Sequence, residues 1–239
     1  MNKFQELIQL VDQTLKNVAD GTRAFIEAAQ KAGPVATQII AAVEKFPEFF
    51  SGKWIEHANK GWYPNWFTPA FSSLTADDQL DSFMSGHLAE DLHKIEAKLI
   101  ELYPDRKDLF KAGFFHHRKR HFIASIPIFF AHADGICNET INAMLLSKHN
   151  SRQNKIADKL SKTTDLISHV MLPILAEKTQ MGEGLNKSSE SDKKLGPNRN
   201  GILHGSSLHL DYGTEINSLK SLSLHAFVAS TFENAEIPE

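Results

Sequence analysis

The chain has a single cysteine, Cys137, among 239 residues. No intrachain disulfide can form, a zinc site built on several thiolates is excluded, and a reducing cytoplasm is the expected compartment. Nor is there much net charge. Against 29 Asp+Glu stand 26 Lys+Arg, leaving −3 with histidine neutral. That argues against coating nucleic acid by bulk attraction but leaves room for a local basic site. Long apolar runs are also missing. The longest, Phe122 to Ala131, contains Ser125 and Pro127. It reaches about half of the roughly 20 residues a membrane span needs, so a buried helix and no membrane partner are expected. The N-terminal Met1-Asn2-Lys3-Phe4-Gln5-Glu6 turns polar at once and shows no signal-peptide core. A P-loop of the form GxxxxGK(S/T), a GxSxG elbow and an HExxH pair are absent, which removes the usual sequence marks of three large enzyme classes.

What is present reads as helix almost throughout. With 41% hydrophobic and 23% charged residues the chain can bury a real core. Phe4, Leu7, Ile8, Val11, Leu15 and Val18 fall at spacings of three and four, one apolar helix face. Asp20-Gly21-Thr22 and Gly33-Pro34 punctuate this region, and a further helix is expected from Val35 to Lys45. Residues 47–74 are rich in proline and glycine, hold Trp54, Trp62 and Trp66, and read as a loop-rich aromatic segment. These indoles can stack on bases or plug a seam between helices. Helices resume near Thr75, with Ser73 or Thr75 as cap and a stripe from Leu80 to Leu102 that Tyr103-Pro104-Asp105 ends. A second long pattern runs from about Arg106 to about Leu146, with a kink or break expected at Pro127. Another covers about Ser151 to Leu175. Lys178 to Pro197 reads as a mobile loop by composition, and two shorter helices follow, Arg199–Leu208 and Thr214–Ser230. No strand-period run stands out. The expected fold is all-α, with an N-terminal helical and aromatic region at 1–74 and a helical domain at 75–239.

Twelve histidines supply many acid–base candidates. The sharpest setting is Asn198-Arg199-Asn200-Gly201-Ile202-Leu203-His204-Gly205. Asn198 suits a helix N-cap, which puts Arg199 and Asn200 in the first turn, where backbone N–H groups and a guanidinium favour an anion. Asn200 and His204, four apart, share a helix face. An imidazole takes and gives a proton near neutrality. The set suits metal-free phosphodiester chemistry; equally, the spacing fits a surface arginine and a histidine satisfied by a neighbouring carbonyl.

This segment, with Asp211-Tyr212-Gly213-Thr214-Glu215-Ile216-Asn217-Ser218-Leu219-Lys220 after it, resembles the C-terminal part of HEPN-superfamily proteins (higher eukaryotes and prokaryotes nucleotide-binding domains). Their pattern is an Arg, a polar residue, three variable residues and a His, matched by Arg199, Asn200, Gly201-Ile202-Leu203 and His204. Ser125-Ile126-Pro127 through Ala133-Asp134-Gly135-Ile136 resembles an upstream helix of a bacterial subgroup. The resemblance covers about Asp105–Ile141 and Asn198–Ala229. It implies a helical bundle that dimerises, bringing two Arg/His sets into one cleft. It also implies a metal-independent ribonuclease of toxin or phage-defence type, or a relative that has lost catalysis and binds nucleotide, RNA or a partner. In that scheme the substrate is RNA, the partners are a second copy and an antitoxin or other defence protein, and no cofactor is needed. His204 would act as general acid or base, Arg199 would clamp the phosphate, and Asn200 would orient the scissile group. Gly201, inside the motif helix, costs roughly 1 kcal/mol relative to Ala unless it gives substrate access to the backbone.

Other candidates surround this one. His116-His117-Arg118-Lys119-Arg120-His121 is the densest basic run; Arg118 and Arg120 can hold an RNA backbone, or the run is a solvated turn of helix. Asp134, a charge in an apolar stretch, needs a partner; it can pair with Arg199, orient His204, or form an ordinary structural salt bridge. Asp211 and Tyr212 can contact substrate or cap the last helix. Lys193, Lys194 and Asn198 can touch RNA or solvent. His87, Glu90, Asp91 and His93 lack the spacing of a convincing metal site, and none is expected.

Overall fold

The computed structural model describes residues 50–69, 75–146, 149–162, 166–184 and 189–233. They form helices α1 (50–58), α2 (Leu80–Leu102), α3 (Lys107–Arg118), α4 (Phe122–Ile141), α5 (His149–Lys162), α6 (Leu166–Ala176), α7 (Glu190–Leu195), α8 (Arg199–Leu203) and α9 (Glu215–Thr231). No strand occurs among them, so the fold is all-α. No helix of the described residues is long and apolar enough to cross a membrane. The helical patterns read from Phe4 to Lys45 lie outside the described residues.

The bundle is built around α9. Every residue from Ser218 to Ala229 is buried, the state of a helix covered on all sides. α4 and α2 pack on it, α3 packs on α4, and α6 adds a further wall. α2 shows the expected stripe, with Leu80, Met84, Leu88, Ile95 and Leu99 buried. Two buried serines of α9 find acceptors within the helix: Ser221 donates to the Asn217 carbonyl (2.8 Å) and Ser223 to the Lys220 carbonyl (2.8 Å). Thr214 caps the helix by accepting from the Asn217 N–H (3.2 Å). Trp54, Trp62 and Trp66 are buried. The Trp62 indole donates to Asp81 of α2 (2.6 Å) and that of Trp66 to Glu233 (2.8 Å), so the aromatic segment fills a seam of the bundle. Within that segment, which reads as loop-rich from its composition, residues 50–58 form a helix.

Several boundaries differ from the sequence reading, each for a visible reason. α2 starts at Leu80, later than Thr75, and its N-cap Gln79 makes no side-chain cap. The break in the second pattern falls at Lys119–His121 rather than at Pro127. There Arg120 adopts φ 60°, the Arg120 N–H reaches the His117 carbonyl, and the His121 N–H reaches that of His116. These are the two bonds of a Schellman stop, with arginine where glycine is usual. Pro127 lies inside α4. Having no N–H, it leaves the Ile123 carbonyl without its helical donor; the Tyr212 hydroxyl donates to that carbonyl instead (3.1 Å). Lys178 to Pro197 contains a 3-10 turn, Gln180–Gly182, and α7, which carries a capping box between Ser189 and Asp192.

Candidate functional site

α8 is only one turn and a half long. Asn198 caps it, its side-chain oxygen accepting the Gly201 N–H at 2.7 Å. The helix stops at Leu203, before the expected Leu208. His204 is the C-cap and Gly205 takes φ 66°. The Gly205 N–H then reaches the Ile202 carbonyl and the Ser206 N–H that of Gly201, a second Schellman stop, here with the glycine that favours it.

Three of the predicted residues come together. Arg199 Nη2 lies 2.8 Å from Oδ2 of Asp134 on α4. Arg199 Nη1 donates to Asn200 Oδ1 (3.0 Å). The Asn200 amide donates to the Glu183 carbonyl (2.9 Å), which also accepts from the Asn198 amide (3.2 Å). Asp134 is 3% exposed at its side chain and Arg199 20%. Burial raises the Asp134 carboxyl above its ordinary range; Arg199 and the Leu146 and Leu145 N–H groups pull the other way. The other Asp134 oxygen accepts the Leu146 N–H at 3.0 Å. Arg199 and Asn200 are thus fixed by the fold. His204 is exposed. Among the described residues its side chain makes no hydrogen bond or ion pair.

The remaining candidates are engaged elsewhere. Arg118 pairs with Glu96 (2.6 Å) and Arg120 with Glu215 (3.4 Å), so both arginines of the basic run have a carboxylate beside them. His117 is buried and bonds Ser218 (2.8 Å), which bonds Ser125 (2.7 Å). Burial pushes the His117 imidazole below its usual range. Asp211 pairs with Lys193 (2.9 Å), and that pair lowers its carboxyl. Tyr212 spends its hydroxyl on Ile123. On α2, His87 and Lys94 both approach Asp91. No group of three potential metal-ligating side chains converges among the described residues.

No family model, curated protein or solved structure matches the chain. The site is therefore read on its own geometry.

That geometry includes two features not evident from the sequence. His209, 5% exposed, lays its ring against Gly201: a Cβ there would sit 2.0 Å from His209 Cδ2 and 2.4 Å from Cγ. The space beside Gly201 is thus filled by a side chain of the protein itself, and the glycine is required by close packing. The second feature is a cleft of about 390 Å³ on the flank of α8, lined by His209 and Asn198 together with Gln180, Lys193, Lys194 and Tyr212. Glycine at 201 hints that something approaches the helix; nothing in the sequence names His209 as the neighbour.

Proposed function

We propose that the chain is a metal-independent endoribonuclease of toxin or phage-defence type that works as a homodimer. The observation that supports this reading most is the division of labour on α8. Arg199 and Asn200 are locked by Asp134 and by the Glu183 carbonyl, while His204 is exposed and has no partner among the described residues. Fixed donors that need no reorganisation stabilise developing phosphate charge well. An unencumbered imidazole is the natural proton carrier. In the proposed reaction, His204 removes the ribose 2′-OH proton as that oxygen attacks the adjacent phosphorus. The P–O5′ bond breaks, and the leaving 5′-oxygen collects a proton from the second copy's imidazole. The products are a 2′,3′-cyclic phosphate and a 5′-OH. Arg199 offers its exposed edge to the non-bridging oxygens, and Asn200 holds that edge in place.

A second reading is favoured by one specific contact. Asp134 neutralises Arg199 across 2.8 Å, which suits a module that binds RNA, a nucleotide or a partner without cutting. One experiment separates the two. Wild type, Arg199→Ala and His204→Ala are incubated with RNA in EDTA, and cleavage, product ends and binding are scored beside the melting temperature. Cleavage that leaves cyclic-phosphate ends and vanishes in His204→Ala at unchanged melting temperature supports the ribonuclease. Intact RNA, bound by wild type and released by Arg199→Ala, supports the binding module. RNA neither cut nor bound refutes both.

A further inference from the structure

Arg152 on α5 is a buried cation to which the described residues give no counter-charge. It is 3% exposed. Its Nη2 donates to the Ala176 carbonyl (3.4 Å) and the Glu177 carbonyl (2.8 Å) at the end of α6. Its Nε is enclosed without an acceptor. Its Nη1 makes no hydrogen bond among the described residues either but, unlike Nε, is not sealed in. Arg152 lines a small cavity, and Nη1 is the edge of the guanidinium left open there. Burying such a charge is costly unless an opposite charge replaces the lost water. Burial pulls the Arg152 pKa below its ordinary range, yet a guanidinium stays charged near neutrality.

None of the acidic groups around it supplies that charge. Asp134 is committed to Arg199 at 2.8 Å. Burial pushes the Tyr63 hydroxyl and the Cys137 thiol each up to about 12, so both are neutral near pH 7. Glu177 gives Arg152 its backbone carbonyl, and its carboxylate forms no ion pair with the guanidinium. The cavity is what remains. Its volume of about 10 Å³ is the space of one water-sized particle. Leu145, Leu146 and Ile174 give it apolar walls, and Tyr63 and Thr179 join Arg152 in lining it. The Tyr63 and Thr179 hydroxyls bond each other at 3.0 Å. That bond uses one of their two hydrogens, so the pair keeps one O–H to donate. The polar side of the cavity is therefore a donor side, with a fixed positive charge behind it.

We propose that this cavity is a halide site, in which a chloride ion accepts from Arg152 Nη1 and from the Tyr63–Thr179 hydroxyl pair and supplies the charge the guanidinium lacks. The volume suits a single-atom anion and excludes phosphate or a carboxylate. A water in the same place would accept the same hydrogens but leave the charge unmatched, and the experiment separates the two. The melting temperature of the full chain is measured in sodium chloride and in sodium gluconate at equal ionic strength. Chloride should raise it by about 3–6 °C at ten times the dissociation constant, and the rise should saturate. Arg152→Gln should melt at the same temperature in both salts. Lys162→Ala, on the exposed end of α5, should respond to chloride like wild type. Crystals of the wild-type protein grown in sodium bromide should show an anomalous-scattering peak in contact with Arg152, which decides the matter even if Arg152→Gln does not fold. The proposal is overturned if wild type melts alike in the two salts, if Arg152→Gln keeps the chloride response, or if Lys162→Ala loses it. It is also overturned if no bromide enters the cavity, since a water then fills it.

Discussion

Gly201→Ala sets two physical effects of opposite sign against each other at one atom. In an exposed helix the change stabilises by roughly 1 kcal/mol, because alanine loses less backbone freedom on folding. Here the new methyl would meet the His209 ring at 2.0 Å from Cδ2 and 2.4 Å from Cγ, far inside van der Waals contact. The ring cannot slide freely, since His209 is 5% exposed. Overpacking of this kind costs about 1–3 kcal/mol. The clash also lifts the ring out of its buried seat, so the net effect is a loss of about 1–2 kcal/mol. In a domain of this size that lowers the melting temperature by about 2–4 °C per kcal/mol. The decisive comparison is a double-mutant cycle by urea unfolding. In the His209→Ala background the obstacle is gone, and Gly201→Ala should then stabilise by up to about 1 kcal/mol. The sign of one substitution reverses with the presence of one ring. If Gly201→Ala is as stable as wild type with His209 intact, or if the two substitutions are additive, the packing argument fails.

Two further outcomes are expected. Arg120 sits at φ 60° as the left-handed residue of the stop between α3 and α4, a conformation that costs a side-chain-bearing residue roughly 1–2 kcal/mol. Arg120→Gly gives up the exposed pair with Glu215 and the guanidinium's place over the Phe122 ring, each worth about 0.5 kcal/mol at an exposed site, so urea midpoints should rise slightly; a fall would refute the strain. His225 is fully buried between α4 and α3, beside His132, Phe110 and Phe129, with Arg106 close by. Burial, with smaller contributions from His132 and Arg106, drops its pKa from 6.5 to about 3. A folded pKa below the unfolded one gives stability that is present above about pH 6.5 and lost as pH falls toward 3, at about 1.4 kcal/mol per unit. His117 and His132 are shifted in the same direction. His225→Phe should therefore flatten the acid limb of a stability-against-pH curve, and an unchanged slope would show that His225 already titrates normally.

The parts of the fold that the sequence made legible are those carried by local periodicity. Most of the stripe from Leu80 to Leu102 became the buried face of α2, and the last helix starts at the expected Thr214, which caps it. The parts that stayed hidden are those in which a distant residue pays a local debt. Pro127 ought to break a helix; it does not, because Tyr212, 89 residues from Ile123, satisfies the carbonyl that proline orphans. The break occurs instead at Arg120, where no glycine announces it. Asp134 and Arg199 could each be suspected, one as a charge in an apolar run and the other as a helix-entry cation, and α4 and α8 do bring them together. His209 gave no signal, because its importance rests on the Gly201 backbone it lies beside and not on its spacing.

These contacts also explain why so short a helix can hold a precise position. A helix of five residues has almost no stability of its own. α8 is fixed from outside: Arg199 ties one flank to Asp134 on α4, Asn198 and Asn200 tie its start to the Glu183 carbonyl, and the His209 ring wedges against Gly201 on another flank. The Schellman stop at Gly205 then sets where the chain leaves, and with it where His204 projects. Each tie belongs to a different part of the chain, so loosening any one should displace the imidazole more than it unfolds the bundle.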